Sequence, residues 1–155
     1  MTRIYPQFIV AKFGGTSVAD FDAMNRSIDV ALLDANTRIV VLSASAGVTN
    51  ILVALAGGLE PTERFSQLDA LRQIQFNILE RLRYPNVIRD EIERLLENIT
   101  TLAEAASLAT STALTDELVS HGELMSTLLF VEILRQRDVQ SQWFDVRKVM
   151  RTSDR

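Results

Sequence analysis

The sequence predicts an α/β fold, on three observations. An apolar run at 8–13 shows no alternation, as in a strand buried on both faces of a parallel sheet. A second, β-branched run, Ile39-Val40-Val41-Leu42, follows after one helix length, which makes strand, helix and strand a βαβ unit. Small, hydroxyl-rich loops follow both strands. If the strands run parallel, these loops share the carboxyl edge, where open α/β sheets bind ligands.

The elements follow in order. Lys12 interrupts the first strand near its end, and Gly14 and Gly15 open a turn in which Thr16, Ser17 and Asp20 offer caps. Residues 20–36 read as a helix, with Phe21, Met24, Ile28, Ala31 and Leu32 on one stripe. After the second strand, Ser43-Ala44-Ser45-Ala46-Gly47-Val48-Thr49-Asn50 leads into a short helix over 51–56, which Gly57 and Gly58 end; Pro61 starts a polar turn.

Two long helices are predicted next, over 63–83 and 87–110, and together they read as a helical hairpin. Phe65, Leu68, Leu71, Ile74, Ile78 and Leu82 form the first apolar stripe; Ile88, Ile92, Leu95, Ile99 and Leu102 form the second. Tyr84-Pro85-Asn86 separates them, because proline cannot continue a helix and restricts the residue before it. Arg89/Glu93 and Asp90/Arg94 are spaced as i,i+4 ion pairs, worth about 0.2–0.5 kcal/mol each on a solvated face.

A linker at 111–115 offers Thr115 as N-cap of a helix to about Arg137, with Leu124, Leu128, Val131 and Leu134 as its core stripe. Gln142-Trp143-Phe144-Asp145-Val146 reads as a third strand. There is no internal repeat and no low-complexity segment.

Composition narrows the classes of function. The 155 residues, 47% of them hydrophobic, suffice for a sizeable core. A net charge of −4 provides no basic surface for nucleic acid or an anionic membrane. Cysteine is absent, which removes disulfides and thiolate-rich zinc sites. No signal-peptide pattern and no run of membrane-spanning length is present, so the cytoplasm is the expected compartment.

Three places carry candidate chemistry. The strand–glycine turn–helix start gathers backbone N–H groups and the Lys12 ammonium, as a phosphate site requires. It is neither GxxxxGK[ST] nor GxGxxG, and on spacing alone Lys12 reads equally as a solvent-facing residue beside a tight turn. The 43–50 loop is a second candidate, or simply small residues that permit close packing. Glu123 is the third. It stands with Ser120 and Thr127 beside an apolar stripe, where burial would demand a cationic partner and exposure would demand nothing. His121, the only histidine, lacks triad or metal-ligand spacing and reads as a surface or helix-packing residue.

Lys12-Phe13-Gly14-Gly15-Thr16-Ser17-Val18, the 43–50 loop and Ser120-His121-Gly122-Glu123 together closely resemble the aspartate kinase signature of the amino acid kinase family. The sequence through Phe144-Asp145-Val146-Arg147 is most similar to its lysine-sensitive members. The resemblance implies a three-layer αβα domain with a mainly parallel sheet, of which residues 1–155 are the N-terminal portion. Later kinase and ACT regulatory parts are expected beyond it, and the 155 residues alone are expected to bind ATP weakly without turnover. It further implies ATP-dependent phosphorylation of the L-aspartate side chain, with Mg2+, as the first step towards lysine, threonine and methionine. Lysine would inhibit allosterically, and the whole enzyme would be a homo-oligomer. By the same resemblance Lys12 contacts the β/γ-phosphates as the catalytic lysine. Gly14, Gly15 and Ser17 hold the nucleotide's phosphates, Ser43 and Thr49 line the aspartate pocket, and Glu123 pairs with the substrate ammonium. Readings that compete are another amino acid kinase (for glutamate, acetylglutamate, carbamate or a nucleotide), a fusion to homoserine dehydrogenase, and a self-associating module without catalysis.

Overall fold

The structure, a computed structural model, describes residues 9–141. Strand β1 (Ile9–Phe13) is followed by a 3-10 turn (Gly15–Val18), helix α1 (Phe21–Leu32) and strand β2 (Thr37–Leu42). Four helices complete the order: α2 (Val48–Ala56), α3 (Pro61–Leu79), α4 (Asn86–Leu108) and α5 (Thr112–Gln136). The predicted third strand at 142–146 lies outside the described residues.

The two strands pair in parallel, with Lys12 opposite Val41 and Phe13 opposite Leu42. This is the predicted βαβ unit. Burial differs from the expectation of two covered faces. Among the described residues Ala11, Phe13, Val40 and Leu42 turn towards the helices, while Val10, Ile39 and Val41 are 58%, 46% and 43% exposed. An unbroken apolar run sets how much of a strand prefers burial, but a covering layer must also be present to bury it.

Helix α1 begins where the Asp20 carboxylate accepts the Ala23 amide proton at 2.8 Å. It ends at Leu32, earlier than predicted, because the Asp34 side chain captures the Asn36 amide at 2.8 Å and turns the chain. Pro61 is the first residue of α3 rather than part of a turn, as its fixed φ and missing N–H allow. The first turns of α3 overhang the core, so Phe65 is 74% exposed despite its place on the apolar stripe.

Helices α3 and α4 form the predicted hairpin, but its ions pair differently. Arg72 of α3 bridges to Glu93 of α4, Arg94 pairs with Glu91, and Arg89 donates to Asn86. Arg72 and Arg89 both lie over the Phe76 ring, at 4.5 and 5.7 Å. The Phe76 ring thus takes Arg89 and the facing helix takes Glu93, while Arg94 chooses the i,i+3 acid Glu91 over Asp90.

Helix α5 is capped by Ser111, not Thr115. The Ser111 hydroxyl accepts the Leu114 amide at 3.0 Å, and Thr115 donates back to the Ser111 carbonyl. It packs against α2, α4, α1, α3 and β2. Its most buried line is therefore Leu118, Met125, Leu129 and Ile133, and the predicted stripe of Leu124, Leu128, Val131 and Leu134 is half-buried. Near its end Glu132 is buried. Arg135 and Gln136 both donate to its carboxylate, and that bond and charge raise the Arg135 pKa above its usual value. Gln136 also clasps both backbone groups of Tyr84, at 3.1 and 3.2 Å, and so ties α5 to the turn between α3 and α4.

Candidate active site

Parallel pairing places the loops after β1 and β2 at the same sheet edge, and the backbone joins them there. The Ser43 amide donates to the Phe13 carbonyl at 3.1 Å, and the Ala46 amide donates to the Gly15 carbonyl at 3.1 Å. A Cβ on Gly15 would stand 3.1 Å from the Ala44 carbonyl oxygen and 3.4 Å from the Ala46 nitrogen, so any larger residue must push the backbone of the second loop aside by a few tenths of an ångström. The Ser17 amide closes the turn on the Gly14 carbonyl at 3.0 Å. Among the described residues the amides of Gly14, Gly15 and Thr16 donate no hydrogen bond, as expected of the first residues of a helical turn. Free N–H groups at such a start suit an anion.

Lys12 is exposed at the end of β1 and makes no ion pair or hydrogen bond among the described residues. Ser17 is half-buried, and its carbonyl accepts from the Ser27 hydroxyl of α1 at 2.7 Å. Ser43 is half-buried at the start of the second loop, and Thr49 is exposed in the first turn of α2.

Helix α5 supplies the third part. Gly122 is buried against the second loop and α2. A Cβ there would lie 2.8 Å from Leu52 Cδ1, 3.0 Å from Val48 Cγ1 and 3.1 Å from Ala44 Cβ. The helix thereby seats directly on Ala44, and the next residue, Glu123, turns to solvent. The Glu123 carboxylate is unpaired among the described residues, so the exposed alternative holds and no buried partner is required. His121 is buried with Nδ1 2.7 Å from the Glu117 carbonyl. A carbonyl only accepts, so Nδ1 carries the proton, and of the two roles expected the imidazole serves helix packing and not the surface.

Sequence reasoning missed the residues that tie these parts together. Buried Ser45 donates to the Val18 carbonyl at 2.7 Å and stands 3.4 Å from the Ser126 hydroxyl of α5. Gly122 did carry a signal: a glycine inside a helix forfeits about 1 kcal/mol and therefore marks close packing.

Strand, glycine turn, hydroxyl loop and acid-bearing helix thus meet at Ala44 and Ser45. The family model for the amino acid kinase family matches residues 7–155, and the chain belongs to that family. It is 83% identical over 149 residues to lysine-sensitive aspartokinase 3 of Escherichia coli (strain K12), covering 96% of this chain and 33% of that protein. The crystal structure of E. coli aspartokinase III with lysine and aspartate, in the T-state, superposes with a TM-score of 0.91 at 83% identity. That superposition covers 92% of this chain and 32% of the other. The R-state complex with aspartate and ADP matches with the same TM-score at 82% identity, over 92% of this chain and 32% of that one. The chain therefore spans about a third of the length of these relatives.

Proposed function

We propose that this chain provides the phosphoryl-handling and ammonium-binding edge of an aspartate kinase. The observation that carries the reading is the meeting of the Lys12 strand end, the Gly14–Gly15 turn and the Gly122–Glu123 helix on one loop. It occurs in a chain 83% identical to an aspartokinase.

In the proposed reaction a side-chain carboxylate oxygen of L-aspartate bonds to the γ-phosphorus of ATP, the bond to the bridging oxygen breaks, and ADP leaves. A carboxyl group with a free pKa of about 3.9 is already ionised at neutral pH, so no general base is needed. The chain's contribution is to position reactants and neutralise charge. Lys12 meets the β/γ-phosphates, the amides of Gly14 and Gly15 receive the transferred oxygens, and Ser17 borders the nucleotide. Ser43 and Thr49 line the amino acid pocket, and Glu123 holds the α-ammonium. Among the described residues no three His, Cys, Asp or Glu side chains converge. A Mg2+ ion accompanying ATP would have its site completed largely by residues outside this chain, beside the phosphates themselves.

The T-state relative's lysine complex supports lysine as the allosteric inhibitor and lysine biosynthesis as the setting, which fits a cytoplasmic enzyme. No helix among the described residues is long and apolar enough to cross a membrane. The exposed Val10, Ile39 and Val41 face favours a second property, self-association of the isolated chain, which light scattering measures.

The test of the main reading is a hybrid in which this chain replaces the matching 149 residues of the E. coli enzyme. Aspartate-dependent ADP release is the expected result. A stable hybrid without it would sink the reading.

A further inference from the structure

A stack of contacts through Ala44 and Ser45 lies between the glycine turn and helix α5, which carries Glu123. On one side Gly15 lies against the Ala44 carbonyl, and its own carbonyl accepts the Ala46 amide proton. On the other side Gly122 lies against Ala44 Cβ with no room for a methyl group. Ser45, 1% exposed, ties the two sides together. Its proton is committed to the Val18 carbonyl at 2.7 Å, so Ser126, 0% exposed, is the donor at their 3.4 Å contact. The hydrogen bonds thus run from α5 through the second loop to the end of the 3-10 turn.

We propose that this stack is a spacing gauge that selects the length of the amino acid substrate, with Gly122, Ser45 and Ser126 as positioning residues. The inference rests on the aspartate kinase reading. In that reading Glu123 fixes the ammonium end of the substrate, and the turn at 14–17 fixes the phosphoryl acceptor end. The span between them must equal one amino acid side chain. L-Aspartate and L-glutamate carry identical end groups and differ by one methylene. A site that merely binds both ends separates them poorly. A site whose ends are held at a fixed span discriminates, because a displacement of about 1 Å costs on the order of 100-fold in rate. Ordinary methylene discrimination reaches about 10–200-fold.

Gly122 is the most direct lever on that span. A Cβ there meets Leu52, Val48 and Ala44, and in the proposed gauge the part of that clash their buried side chains do not absorb moves α5, with Glu123 on it, and lengthens the site. The clash is shortest at Leu52 Cδ1, 2.8 Å away, an atom that valine lacks. Leu52→Val should therefore let α5 settle back in part. Loss of the Ser126 or Ser45 hydroxyl acts differently. It loosens the tie without adding volume, so the span widens as a distribution and not as a fixed step.

The experiment uses the hybrid enzyme with the single variants Gly122→Ala, Ser45→Ala and Ser126→Ala and the pair Gly122→Ala/Leu52→Val. For each, kcat and KM are measured with L-aspartate and with L-glutamate, alongside the melting temperature. The expected result is a fall of about 100-fold in kcat/KM for aspartate in Gly122→Ala, carried mainly by kcat. The aspartate-to-glutamate ratio should narrow about tenfold or more, with partial recovery of the ratio in the pair. Ser45→Ala and Ser126→Ala should narrow the ratio by smaller factors, and they carry the test if Gly122→Ala does not fold. Variants that lose activity or melting temperature with an unchanged ratio would overturn the gauge, since packing alone weakens both substrates equally. Unchanged kinetics would overturn it as well. An unmodified hybrid with no aspartate turnover overturns the functional reading first, and this inference with it.

Discussion

The Gly15 carbonyl accepts the Ala46 amide proton at 3.1 Å, so the turn after the first strand and the loop after the second are one backbone unit. A side chain on Gly15 would press on that unit from within, 3.1 Å from the Ala44 carbonyl oxygen, which is backbone and yields little. Gly14, one residue earlier, has open space around its absent Cβ and a φ of −80° that any residue adopts. Gly15→Ala is expected to lower stability by about 1–3 kcal/mol, the usual cost of overpacking, while Gly14→Ala stays within about 0.5 kcal/mol. Urea unfolding of the two variants side by side checks this, and equal midpoints would contradict the geometry.

Gln75 provides a test of the core that is independent of the site. It is 0% exposed on α3, and neither its Nε2 nor its Oε1 has a hydrogen-bond partner among the described residues. A buried amide in that state carries a desolvation cost of about 1–3 kcal/mol. Gln75→Leu removes both polar atoms at similar volume and should raise the urea midpoint. A lower midpoint would mean that the amide has a partner in solution.

Lys12 and Glu123 should separate function from folding. Both are exposed and make no ion pair among the described residues, so their loss removes no internal contact. In the hybrid, Lys12→Ala should lower kcat by about 100- to 1,000-fold, as removal of a charge-stabilising donor commonly does. Glu123→Gln should raise the aspartate KM about tenfold or more, with a smaller effect on ATP. The melting temperature should stay within a degree or two in both. A near-normal kcat for Lys12→Ala would remove the lysine from the phosphoryl-handling role.

Much of the framework was legible because its signals are local. The βαβ unit, the Asp20 cap, the Pro85 break and the convergence of the two loops each follow from residues near one another in the chain. What escaped depends on contacts across the fold. The Ser45–Ser126 approach spans 81 positions, and no spacing rule reaches that far. The deepest line of α5 includes a glycine, a serine and a histidine, which breaks the apolar periodicity that would have revealed it. Phe65 failed for the opposite reason, since its helical period continues past the point where the core ends. Ser111 and Thr115 are equally able caps by chemistry, and the choice falls to where α4 releases the chain.

The chain spans about a third of the relatives' length, yet the described residues include the glycine turn proposed to meet phosphate, and its first amides and Lys12 make no hydrogen bond among them. One rim of a site can bind without catalysing, because catalysis needs both reactants held in line at once. The isolated 155-residue chain is therefore expected to release no ADP with aspartate, while ATP weakly perturbs the amide resonances of Gly14, Gly15 and Thr16 in a titration. Lys12→Ala should abolish the perturbation, and the binding should weaken as salt rises, because an exposed lysine is screened. Aspartate-dependent turnover by the isolated chain would show that these residues already hold both substrates. Shifts that persist unchanged in Lys12→Ala would move the phosphate contact away from this turn.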